Sequence, residues 1–152
     1  MIDKQLAEFI EEGIAIHIGT RNERLEPDGA RVTAVKVEED GRHLVAFVPS
    51  VAAARVLPNL ETNGQAALIF GRPTDERACQ VKGVFSGARE PTPGEREVVL
   101  AQWERCIQVF EQVGVPRAAS STWVMWPCVA VRLRATALFN QTPGPGAGAP
   151  LT

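Results

Sequence analysis

The chain reads as a mainly β protein, a β-barrel with inserted helices. Three observations predict this. Six segments carry strand signals, most are joined by hairpins or short crossovers, and helical patterns interrupt them at only three places. A parallel dinucleotide-binding sheet fits poorly, because no GxGxxG follows a strand and helices do not alternate regularly with strands.

The elements follow in order. Asp3 can cap a short helix whose Ile2, Leu6, Phe9 and Ile10 share a face, and Gly13 is a natural stop. Ile14, Ile16 and Ile18 then alternate with Ala15, His17 and Gly19, the period-2 pattern of a strand with one buried face, His17 being expected near the core. A polar loop is expected over 21–29. Strand two should place Arg31, Thr33, Val35 and Val37 on one face, and Val32, Ala34 and Lys36 on the other. Asp40-Gly41 turns it into strand three, 44–48.

Ser50 is expected to cap the next helix, where free N–H groups and the positive dipole end favour a phosphate or carboxylate. Pro58 should split this helix into two short turns, since its ring clashes and its N–H is missing. Residues 65–70 and 78–88 read as strands four and five around a charged loop. Thr92-Pro93-Gly94-Glu95 is a capping box with proline at the first helical position, and Val99, Trp103, Cys106, Phe110 and Val113 recur at spacings of three and four. Gly114 and Pro116 end this helix. Val129, Val131 and Leu133 alternate in the last strand, and PGPGAGAP reads as a structureless tail. The organisation is one domain over 1–140 with a Gly/Pro-rich tail over 141–152.

Length and charge bound the function. The chain has 152 residues, enough for one domain burying about two thirds of its unfolded surface. Sixteen Lys plus Arg against eighteen Asp plus Glu give a net charge of −2, so no global field draws the protein to nucleic acid or an anionic membrane, and any anion site must be local. Three cysteines without a CxxC pair argue against a disulfide framework and a structural zinc site. No apolar run approaches the ~20 residues of a membrane span, and acidic residues stand where a signal peptide would be basic, so a cytoplasmic location is expected.

Among the polar residues, His17 and His43 show no nearby carboxylate pattern or cysteine ligand, so neither a metal centre nor a Ser-His-Asp device is expected. Trp123 and Trp126 read as packing or dimer-interface anchors, with stacking on a flat ring as the other reading. Arg132 and Arg134 form a basic row on one strand face, and Cys79 and Cys128 read as small buried hydrophobes.

The strings Arg31-Val32-Thr33 on strand two, PSVAAARVLPNLETNG after strand three, RPTDERACQVKG before strand five and the closing LFNQTPGPGAG resemble the FMN-binding split barrels typified by pyridoxamine 5′-phosphate oxidase, over residues 6–139. The resemblance implies a six-stranded antiparallel split barrel. It also implies a homodimer holding FMN in a groove at the subunit interface, with the ring along strand two and the phosphate near strand three and the following helix. By the same resemblance Arg31 matches the strand-two arginine, Val32 and Thr33 flank the ring through their backbone, Ser50 and Arg55 stand on the phosphate side, and Gln80 and Lys82 point toward the flavin. The Ser-Arg-Lys run of typical members is Ala54-Arg55-Val56 here, and their C-terminal end is replaced by the tail. Pyridoxamine phosphate oxidation itself is therefore not expected. The implied function is an FMN-dependent oxidoreductase of unknown substrate, with a non-catalytic flavin, deazaflavin or haem binding module as the alternative.

Overall fold

The segment read as strand two bends at Thr33 and serves as two strands. The computed structural model describes residues 1–151, arranged as α1 (Lys4–Glu11), β1 (Ala15–Arg21), β2 (Pro27–Val32), β3 (Ala34–Val37), β4 (His43–Pro49), α2 (Ser50–Asn63), β5 (Gln65–Gly71), β6 (Ala78–Arg89), α3 (Pro93–Gln112), α4 (Arg117–Ser120) and β7 (Cys128–Asn140). All strand pairs are antiparallel, in the order β2-β1-β5-β6-β7-β4-β3. Because β2 and β3 stand at opposite ends of that order yet adjoin in the chain, the sheet curls into a split barrel.

The strand count is thus seven where six were expected. At the bend, the Thr33 N–H donates to the Phe47 carbonyl at 2.9 Å and its Oγ1 donates to the Met125 carbonyl at 2.7 Å. Val32, Thr33, Ala34 and Val35 are consecutively buried, so the expected alternation fails there. One segment changes partners instead of passing straight through.

The barrel interior is filled by the buried faces of the strands, including Ile16, Ile18, Leu44, Leu68, Phe70 and Leu133. Helix α1 is capped by Asp3, which accepts from the Leu6 N–H at 2.8 Å, and contributes Phe9 and Ile10 to this core. Gly13, at φ 97°, ends it where α3 crosses: a Cβ there would lie 2.6 Å from the Arg105 Cβ. A second cluster of Ala34, Val45, Phe47, Cys128 and Ala130 packs with Val99 of α3.

Several local expectations are corrected. Helix α2 runs unbroken through Pro58. Ala53, Val56 and Leu60 are buried on both sides of the proline, while Pro58 and Ala54, whose carbonyl loses its partner, are exposed to water. Ser50 is not the cap; Pro49 holds that position without a side-chain bond, and the Ser50 N–H donates to the Pro127 carbonyl at 2.8 Å. The polar loop is shorter than expected, because Asn22 Oδ1 accepts from the Arg24 and Glu26 N–H groups and Pro27 already belongs to β2. The tail is folded: Leu151 and Asn140 N–H groups donate to Leu138 and Ala149, each at 2.9 Å, laying it against β7. Val113, expected on the buried face of its helix, is exposed.

The capping box on α3 forms as read, with Glu95 further held by Arg89 at 2.6 and 2.7 Å. One residue of this helix was not singled out by periodicity. The Gln102 amide accepts from the Val35 N–H at 3.0 Å and donates to the Val35 carbonyl at 2.8 Å, sealing the free edge of β3 in a buried setting. Gln102→Leu should therefore leave two buried backbone groups unpaired and lower stability by about 2–4 kcal/mol. Urea unfolding with unchanged m-value reads this; a shift below about 0.5 kcal/mol would mean that Val35 is satisfied some other way.

Candidate cofactor-binding face

Strand register assembles the candidate site on the outer face of β2, β1, β5, β6 and β7. Successive pairs place Arg31, His17, Ile69, Gln80 and Phe139 in one row across the five strands. The neighbouring row is Gly29, Gly19, Ala67, Lys82 and Ala137. At ~4.8 Å per strand step, Arg31 and Gln80 lie roughly 14 Å apart. The second row is a low floor between taller side chains.

Glycine in a strand interior weakens it, and two glycines facing each other across β1 and β2 need a reason. Protein packing does not supply one. A Cβ on Gly19 would meet only the Ala67 carbonyl oxygen, at 3.8 Å, and one on Gly29 only the Ile18 carbonyl oxygen, at 3.5 Å. The bare backbone leaves room for a flat group to lie against the sheet. Over the Gly19, Ala67 and Lys82 part of this floor a shallow cavity of about 480 Å³ is bounded also by Arg21, Gln65 and Thr136, and no aspartate or glutamate lines it; Gly29 lies outside this lining, its N–H donating to Asp28 Oδ1 at 2.7 Å. Arg21 reaches Gln65 Oε1 at 3.1 Å, and Lys82 lies 5.1 Å from the Phe139 ring centroid. In a chain of net charge −2, this is a local positive patch.

Of the residues singled out in the sequence, Arg31, Gln80 and Lys82 come together on this face. Arg55 reaches its rim, with Nη2 3.3 Å from the Gly29 carbonyl and Nη1 3.6 Å from Asp28. Val32 and Thr33 bury their side chains, Val32 in the barrel core and Thr33 on the Met125 carbonyl. Ser50 sits at the start of α2, under Pro127. Gly19, Gly29 and Arg21 were not singled out. The alternation of Ile16 and Ile18 does turn Gly19 outward, but Arg21 and Gly29 fell inside the expected loop.

His17 is exposed on this face, contrary to its expected place near the core. Its pKa is lowered, first by the surrounding protein and then by the Arg31 guanidinium across the strand pair. Arg31 is half-buried, with its guanidinium carbon 4.1 Å from the Trp123 ring centroid and 5.8 Å from that of Phe110. Trp123 also packs on Trp103 and Phe110, at 5.8 and 5.6 Å, so its partners here lie within the chain. Burial lowers the Arg31 pKa.

The other histidine has an acidic neighbour that the sequence reading missed. His43 Nδ1 lies 2.6 Å from Asp40, and with Glu38 these ligand atoms fall within 4.8 Å of one another. Both Glu38 oxygens accept from Arg132 at 2.7 Å, and the Asp40 carboxyl is held well below its usual range by His43 and by the Arg42 and His43 N–H groups. The network is internally paired. The cysteines are buried, with the Cys79 and Cys106 thiols pushed up to about 12 and that of Cys128 to about 11 by burial.

His17 should titrate below 6.5, its ordinary value, and move back toward it in Arg31→Ala, as followed by NMR of the ring protons. The folded state binds this proton less readily than the unfolded chain, so stability should fall as pH drops below about 6.5, and less so in His17→Gln. An ordinary or raised His17 pKa would contradict this electrostatic picture.

No protein-family model matches the sequence, and no curated protein matches it. Solved structures do match. An F420 reductase is 15% identical, with 86% of this chain and 93% of that one covered and a TM-score of 0.58. A pyridoxamine 5′-phosphate oxidase assigned as such only provisionally, from Lactobacillus delbrueckii, is 12% identical over 90% and 92% of the two chains with a TM-score of 0.56. An FMN-binding protein from Syntrophomonas wolfei is 12% identical over 91% and 87%, also at 0.56. The curled antiparallel sheet, the helix after β4 and the near-complete coverage agree on one conclusion: this chain has the split-barrel fold of the pyridoxamine 5′-phosphate oxidase-like proteins.

Proposed function

We propose that the protein binds FMN on the outer face of β1, β2, β5 and β6 and acts as a flavin-dependent oxidoreductase, though not on pyridoxamine phosphate. The observation that carries this reading is the pair of opposed glycines, Gly19 and Gly29, on an outward face, with Arg21 and Lys82 and no carboxylate lining the cavity over Gly19. When bound, the flavin supplies hydride or electron transfer, and the protein binds and orients it. Glycine and Ala67 backbone give a flat ring a surface to lie on. The Gln80 amide offers both donors and an acceptor to a polar ring edge, and Arg21 or Lys82 meets the phosphate. That an F420 reductase and an FMN-binding protein share the fold supports a flavin-type ring.

A second copy of the chain completes the site in this proposal. Ile69 and Phe139 are half-buried and Val84 is 37% exposed around the floor, apolar surface that a partner would cover together with the ring. The alternative, a binding module without turnover, is favoured by one observation. Arg55 has Ala54 and Val56 as neighbours and is already engaged with Asp28 and Gly29, which weakens the helix-side phosphate grip.

The absorbance spectrum of the purified protein and an FMN titration test the proposal. Gly19→Val should fold, since valine suits a strand, yet lose FMN binding because its branches fill the floor. Lys82→Gln should weaken binding by about 1.5–3 kcal/mol, roughly tenfold or more, if its ammonium makes a charge-assisted bond. Light scattering should give a dimer. A colourless protein indifferent to FMN, or unchanged titrations in both variants, would contradict the proposal; FMN bound tightly without turnover of any reductant would select the binding module.

A further inference from the structure

Most arginines of this chain are already occupied. Arg55, Arg72, Arg89, Arg117 and Arg132 have carboxylates within 4.0 Å. Arg21 reaches Gln65, Arg105 donates to the Glu11 and Glu12 carbonyls, and Arg31, Arg77 and Arg96 lie over aromatic rings. Arg42 and Arg134 differ. Among the described residues neither has a carboxylate within 4.0 Å, and both are exposed. The Arg42 guanidinium has only the Met1 thioether, with Sδ 3.2 Å from Nε, and a thioether is a weak acceptor.

The fold brings these two cations to one cavity. His43 and Arg134 form the end pair of the β4–β7 ladder, and just beyond it the Ala135 N–H donates to the Arg42 carbonyl at 2.8 Å. Arg42 is fixed from its other side by its own N–H on Asp40 Oδ1, also at 2.8 Å. From here β7 leaves β4 and bulges at Thr136, since Ala135 stands opposite Gly83 and Ala137 opposite Lys82. Further along, the Leu151 N–H donates to the Leu138 carbonyl at 2.9 Å and brings the tail alongside. Between hairpin and tail lies a cavity of about 360 Å³, lined by Arg42, Arg134, Thr136, Leu138 and Leu151 among others. That size falls in the range of roughly 300–1,000 Å³ typical of small-molecule sites.

No aspartate or glutamate lines this cavity. The acidic side chains of the hairpin are turned to other partners, Asp40 to the His43 ring and two backbone N–H groups, and Glu38 to Arg132. Two guanidiniums lining one cavity repel each other, and an oxyanion between them replaces that repulsion with two charge-assisted contacts. Leu138 and Leu151 give the remainder of a ligand an apolar wall. Thr136 lines both this cavity and the one over Gly19, and its hydroxyl donates to the Lys82 carbonyl at 3.2 Å, so it stands as the divide between them.

We propose that Arg42 and Arg134 form an anion site apart from Arg21 and Lys82, which takes the phosphate or carboxylate of a small molecule whose apolar body lies against Leu138 and Leu151. The site does not depend on the flavin reading. Because Thr136 borders both cavities, two sources supply this chemistry: a separate ligand, or the phosphate end of a cofactor resting over Gly19.

The test titrates the full-length protein with phenyl phosphate and with benzoate by calorimetry at one ionic strength, and locates the probe by NMR. At least one probe should bind saturably and shift the Leu138 and Leu151 signals more than that of Gly19. Arg42→Gln and Arg134→Gln should each lower that affinity about tenfold, the effect of losing a charge-assisted contact. Arg24→Gln, in an exposed loop outside the cavity, should leave it unchanged. Saturating FMN separates the sources. Unchanged probe affinity assigns a separate ligand, whereas displacement of the probe, with FMN affinity falling in both variants, assigns the cofactor's phosphate; either result upholds the site. Probe binding through the two arginines in a protein that ignores FMN upholds the site and overturns the flavin reading. The inference is overturned if neither probe binds, if Gly19 shows the larger shift, or if either folded variant binds as the parent does.

Discussion

Thr33 stands where one extended segment exchanges partners, and the rest of the molecule is arranged around that exchange. Its backbone N–H turns to Phe47 while its hydroxyl reaches the Met125 carbonyl. Before it, β2 lies on β1; after it, β3 lies on β4. The sheet therefore meets itself through a covalent link in place of a continuous hydrogen-bonded ladder, and one edge, β3, would be open. Gln102 of α3 closes that edge by mimicking a strand's own backbone. The same bend fixes Arg31 two residues upstream, pointing outward beside the segment that Met125 anchors.

This arrangement explains why the outer face is chemically uneven. Most carboxylates near arginines are consumed in short ion pairs, as Glu38 beside the β3–β4 hairpin, Glu95 at the start of α3 and Glu104 within it are. Such exposed pairs contribute little to stability, but they fix loops in place. The face formed by β1, β2, β5 and β6 is built instead from small residues, one histidine and cations without acidic neighbours in its cavity. In a weakly acidic chain, the cavity over Gly19 is nevertheless lined by Arg21 and Lys82 and by no carboxylate.

Much of this was legible in the sequence, and the losses have physical causes. The α3 capping box depends on residues three apart, and the Asp40-Gly41 hairpin on adjacent ones, so both could be read locally. Arg31, Gln80 and Lys82 were also singled out, through a resemblance, and register brings them to one face. Pro58 inside α2 was misread because burial of Val56 and Leu60 outweighs one lost hydrogen bond whose carbonyl faces water. The tail is ordered by bonds to Leu138 and Asn140, which composition does not show. The Gly19–Gly29 pairing, the Trp123 stack on Arg31 and the His43–Asp40 contact all require knowing which strands or loops meet, and only the first was half visible, in the outward phase of Gly19.

The outer face around Gly19 and Gly29 is where a flat ring would rest. A crystal structure of the protein grown with FMN tests this most directly. The ring should lie on the outer face against Gly19 and Gly29, within reach of Gln80 and Lys82 and with the Arg31–Trp123 stack intact. Density for FMN at any other place, or a face filled by the protein's own side chains in FMN-saturated crystals, would contradict it.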